Sequence, residues 1–89
     1  MALDGVLPVG GVSDWIQIGQ LGPGPLNLIL NSSAGGRKIE CSLMGTTNPT
    51  DGRTVTPDQT IATQICVVTN SSVGAVRFTG AQGDSWKVG

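Results

Sequence analysis

The side chains able to carry acid–base or metal chemistry here are few: Asp4, Asp14, Glu40, Asp51, Asp58 and Asp84, with Cys41 and Cys66. There is no His, which removes the commonest general base and metal ligand. Two carboxylates can hydrolyse a glycosidic bond when a fold sets them on either side of it. Asp51, Asp58 and Asp84, however, sit among Gly, Pro, Asn and Gln, where an Asp serves a turn by accepting from nearby backbone N–H groups. The segment 48–58 has oxygens but not the spacing of a calcium loop. A Cys nucleophile would need an imidazole beside it, and a zinc site needs three or four ligands. The Gly-rich stretch 19–24 leads into neither a helix nor a Lys, so it cradles no phosphate. The expectation is a chain with no catalytic residue, no metal site and no cofactor, and hence not an enzyme. Trp15 and Trp86, two of only three aromatic residues, could form a carbohydrate-stacking platform; plugs at the ends of a small β core are the favoured reading.

The elements that must position these groups are strands. Any helix long enough to matter would cross Gly, Pro or clustered Ser and Thr. Alternation of period two recurs instead: Ile16 and Ile18; Leu26, Leu28 and Leu30; Ile39, Cys41 and Leu43; Ile61, Ile65 and Val67; Val76 and Phe78; Trp86 and Val88. Turn chemistry separates them at Gly22-Pro23-Gly24-Pro25, at Asn48-Pro49-Thr50-Asp51-Gly52, at Pro57-Asp58, and at Gly80-Ala81-Gln82-Gly83-Asp84, read as closing a last hairpin. The predicted fold is all-β: a small antiparallel β-sandwich or barrel of six to eight short strands, with inward side chains from Ile16, Ile18, Leu26, Leu28, Leu30, Ile39, Cys41, Leu43, Ile61, Ile65, Val67, Val76, Phe78 and Trp86. Leu30-Asn31-Ser32-Ser33-Ala34-Gly35 is echoed by Thr69-Asn70-Ser71-Ser72-Val73-Gly74, which two similar hairpin tips explain. Cys41 and Cys66 read as two small buried hydrophobes, with a disulfide as the alternative.

With 89 residues there is room for one core. Charged residues make up 12% and apolar ones 38%, a balance that opposes disorder of the whole chain. A net charge of −1 with five scattered basic residues excludes a phosphate-tracking surface, so no nucleic acid is expected. No apolar run is long enough for a membrane-spanning helix. The N-terminus lacks the basic stretch and unbroken apolar run of a secretory signal, which leads us to expect synthesis in a cytosol.

Residues 1–13 differ from the β body, 14–89. Leu3, Val6, Leu7, Val9 and Val12 crowd a segment that Gly and Pro keep from being helical. An extended arm packed on something is the economical reading, the chain's own sheet or a neighbouring subunit. Those five residues are the candidate partner interface, and deleting 2–12 is expected to leave the body folded while weakening attachment.

Together, a short β chain rich in Gly, Thr and Ser, without His and led by the apolar arm Leu3 to Val12, resembles the small virion proteins of tailed bacteriophages, nearest to the capsid decoration or cement type. That resemblance implies a structural protein on the virion surface, assembled in the host cytoplasm. It would bridge neighbouring subunits of the major capsid protein or other virion proteins. A homo-oligomer is also implied, trimer first and dimer next. The alternative is a phage fibre, attachment or carbohydrate-binding β module, for which exposed Trp rings would speak.

Overall fold

A computed structural model of the chain describes residues 3–18, 25–43, 53–55, 63–69 and 73–89. Among these the strands are β1 (Leu3–Val6), β2 (Ile16–Gln17), β3 (Pro25–Asn31), β4 (Lys38–Leu43), β5 (Arg53–Val55), β6 (Thr63–Thr69), β7 (Val73–Thr79) and β8 (Ser85–Val88). All pairings are antiparallel, in two four-stranded sheets of order β1-β8-β3-β6 and β2-β7-β4-β5. No helix occurs among the described residues, and the all-β expectation holds.

β3 shows why these residues choose strand. Leu26, Leu28 and Leu30 alternate with the exposed Asn27 and Asn31, so an extended chain buries three leucines on one face. From the other sheet, Ile39 and Cys41 of β4 and Val76 and Phe78 of β7 meet them in one cluster, closed by Leu7, Ile18 and Val88. Each fully buried Leu or Phe contributes about 2 kcal/mol from its removed apolar surface.

The two sheets are joined by strands that continue across a bend. Asn31 of β3 faces Ser85, and Lys38 of β4 faces Thr79, so residues 25–43 pair with 73–88 on both sides of the bend with a one-residue slip. β6 and β5 flank the same segment without a slip: Asn31 faces Thr63 and Ile39 faces Val55. On the other flank, Val6 faces Ser85 and Ile16 faces Val76. Between those two points the backbone is hydrogen-bonded as well. Leu7 N–H donates to the Asp84 carbonyl (2.7 Å), Gly83 N–H to Leu7 (2.9 Å), Gly80 N–H to Gly11 (2.8 Å), and Ser13 N–H to Phe78 (2.9 Å). Residues 3–18 and 74–88 thus form one ribbon spanning both sheets. Its bend at Pro8–Gly11 is a turn closed by Gly11 N–H to the Pro8 carbonyl (2.9 Å). The positive φ of Gly10, 98°, at the third turn position is what a type II turn demands.

Of the two packings open to the N-terminal arm, the residues from Leu3 on take the one in cis, hydrogen-bonded to the chain's own body. Several expectations change. Residues 80–84 carry the chain from one sheet to the other instead of closing a hairpin, and so do residues 32–37, the first copy of the Asn-Ser-Ser echo. The middle of the second copy lies outside the described residues. Val67 is 55% exposed rather than inward, because the leucine face of β3 sets the register and Val67 falls opposite the exposed Asn27. Ile61 lies outside the described residues, as do the side chains of Leu43, Ile65 and Cys66.

Candidate assembly surface

The five N-terminal apolar residues divide by position on the ribbon. Leu7 is 1% exposed in the core and Leu3 packs half-buried against it. Val6, Val9 and Val12 remain exposed, at 66%, 83% and 40%. Val9 stands beside Gly10 in the turn, and Val12 bridges to Thr79 where the ribbon enters the second sheet. Strand alternation sends Leu3 and Leu7 inward and Val6 outward, so two of the five belong to the chain's own core and three to its surface. Three exposed valines thus lie within the segment 6–12.

Two polar clusters hold this segment rigid. The first lies under the bend. Asp84 accepts from the Ala81 N–H (2.8 Å) and from the Ser32 hydroxyl, whose oxygen also accepts from the Ala34 N–H (3.2 Å). Arg37, 2% exposed, donates from Nη1 to the Ser32 carbonyl (2.7 Å). A Cβ at Gly80 would stand 2.6 Å from Ser32 Oγ and 3.0 Å from Leu7 Cδ1, so any larger residue at the crossing would displace these side chains. The Ser32 hydroxyl, and after it the Ala81 N–H, hold the Asp84 carboxyl below its ordinary 3.8. A depressed carboxylate stabilises the fold above its unfolded pKa, and that gain is lost as pH falls through the folded one. Asp84→Asn should therefore lower stability at neutral pH, by less than a buried hydrogen bond because solvent screens this carboxylate. Thermal melts of the two proteins should converge as pH drops below 3.8. A gap that stayed constant with pH would remove this role.

The second cluster fixes the start of β2. Glu40, 3% exposed, takes both Arg77 nitrogens, Nε at 3.1 Å and Nη2 at 2.9 Å, with Lys38 Nζ at 4.0 Å. The Arg77 guanidinium lies 4.7 Å from the Trp15 ring centroid. Nearby, the Ser13 hydroxyl accepts from the Phe78 N–H (2.9 Å) and donates to the Asp14 carbonyl (3.0 Å).

Both Trp rings are engaged within the chain. Trp15 has Arg77 over its face, and Trp86 stacks on Phe78 with centroids 5.4 Å apart and planes 13° from parallel. Cys41 is fully buried in the apolar cluster. Among the described residues, no three or more Cys, Asp or Glu side chains gather where they could hold a metal ion. Asp51 and Asp58 lie outside the described residues. An open depression of about 400 Å³ runs over Asp4, Val6, Asn31, Ser85 and Lys87 on the outer face of the first sheet. Asn31 Nδ2 donates there to Ser85 Oγ (3.1 Å), and Thr63 Oγ1 donates to Asn31 Oδ1 (2.7 Å), a polar rung across three strands. No protein family, characterised protein or solved structure matches this chain.

Proposed function

We propose that the protein is a structural virion component of the capsid decoration type, bridging neighbouring shell subunits and catalysing nothing. The observation that carries this reading is the exposed apolar run Val6, Val9 and Val12 on a segment whose alternate residues are anchored in the core. A rigid backbone presenting valines loses little conformational freedom on binding, so most of the buried apolar area goes into affinity. In a shell, many such modest contacts act together. The partner is then the major capsid protein or another virion subunit, met at the virion surface after assembly in the host cytoplasm, with the chain itself in a homo-oligomer. A carbohydrate platform is the weaker reading, since each Trp ring already has an Arg77 or Phe78 neighbour on it.

The test uses phage shells depleted of this protein, with particle sedimentation and shell melting as readouts. Wild type should bind and raise the temperature at which shells open. Val9→Asp with Val12→Asp should weaken binding at least tenfold, because two buried valines are each worth about 1.5 kcal/mol or more. The variant's own melting should be unchanged. Failure of wild type to bind any shell would overturn the proposal, and equal binding by the variant would overturn the surface.

A further inference from the structure

We propose that β1 is a homodimer edge, on which a second copy of this chain adds its own β1 antiparallel to make one continuous sheet across a two-fold axis. This deepens the oligomer part of the proposed function and rests on it only in naming the partner. Among the described residues β1 is the outermost strand of its sheet, with β8 on one side. Leu7 donates to Asp84 and accepts from Gly83, so it faces the C-terminal segment. Alternation then turns Leu3 and Gly5 toward β8 and leaves the N–H and C=O groups of Asp4 and Val6 pointing off the open edge. Between Leu3 and Val6 the strand has neither Lys, Pro nor a bulge, and its one charge is Asp4. Val6 beside those open groups is 66% exposed.

Charge and the position of Pro8 select the register. Edge pairing with an identical strand can centre on Asp4, on Gly5 or on Val6. Centring on Asp4 puts two carboxylates directly opposite, which is unfavourable. Centring on Val6 would bring Asp4 against Pro8, which has no N–H to give. Centring on Gly5 pairs Asp4 with Val6 of the second copy, twice by symmetry, and satisfies all the open groups of both residues. Lys87, the neighbour of Asp4 on β8, leaves each carboxylate with a cation on its inner side. An isologous pairing of this kind closes at two copies and does not grow into a fibre.

The register makes opposite predictions for two charged substitutions at one position. Sedimentation equilibrium of the purified full chain, with no shell present, should show a monomer–dimer equilibrium for wild type. Val6→Asp would set like charges opposite each other twice and should raise the dimer Kd about tenfold. Val6→Lys would face Asp4 of the second copy and should keep or tighten the dimer, more so at low salt. Val6→Asp combined with Asp4→Lys should restore pairing. Circular dichroism melts of every variant check that the monomer is folded. A wild-type monomer at millimolar concentration would overturn the proposal, as would a trimer or equal weakening by Asp and Lys at position 6. Shell binding through Val9 and Val12 is read in a separate assay, so either result can fail without the other.

Discussion

Removal of residues 2–12 should leave a chain that does not fold. The segment contributes Leu7 and Leu3 to the core and one side of a ribbon that holds the two sheets together. Truncating a buried Leu alone costs about 2–5 kcal/mol, and each lost backbone hydrogen bond about 1 kcal/mol more. A domain of this length has only about 5–13 kcal/mol in hand. The loss also uncovers the side of β8 and leaves Asp84 and Gly83 without the Leu7 groups they bind. Far-UV circular dichroism and proton NMR should show an unfolded spectrum for the truncated chain, and Leu7→Ala should lower stability in urea by about 3 kcal/mol. A truncated chain that retained a cooperative melt would mean that the ribbon is dispensable.

The second large effect is expected at the ion pair on the other sheet. Arg77→Leu leaves the Glu40 carboxylate 3% exposed with Lys38, at 4.0 Å, as the remaining cation near it among the described residues. Removing one partner of a buried pair costs about 3–5 kcal/mol, and the partial exposure of Arg77, 28% of its side chain, favours the lower end. At about 3 kcal/mol the melting temperature should fall by about 15 °C for a domain of this size. Because replacing both charges with apolar groups of similar volume is often neutral, Arg77→Leu with Glu40→Leu should recover most of the loss. Urea titrations of the two single variants and the double variant give the coupling. Additive losses would show that the pair is not a unit. Trp15→Ala tests the same cluster from outside and should cost less, since the cation–ring contact is worth about 1 kcal/mol.

The strands were legible in the sequence wherever apolar residues kept to one parity. Leu26, Leu28 and Leu30 against Asn27 and Asn31 leave a single choice of buried face, and β3 takes it. In the strand 63–69 the inward face was not legible at Val67, because apolar residues occupy both parities, Ile65 and Val67 on one and Cys66 and Val68 on the other. Its register comes from β3, a neighbour far away in sequence. The same distance hid the candidate surface. Alternation alone could not tell which of Leu3, Val6, Leu7, Val9 and Val12 faced inward until the pairing of Leu7 with Asp84 was known. Nor could a short Gly–Asp stretch at 80–84 reveal whether it ended a hairpin or carried one strand around a bend, because both need the same turn-forming residues. The Trp15–Arg77–Glu40 stack joins three segments, and no local pattern announces it.

The placement of the last strand bears on when the chain can fold. β8 lies between β1 and β3, and β7 lies between β2 and β4. During synthesis the first strands therefore emerge with their central neighbours still unmade, and no native sheet can close until residues 73–88 have left the ribosome. Nearly every pairing joins residues distant in sequence, which places the protein among slow, high-contact-order folders. Until then the leucines of β3 lack the β8 neighbour that covers them in the finished sheet.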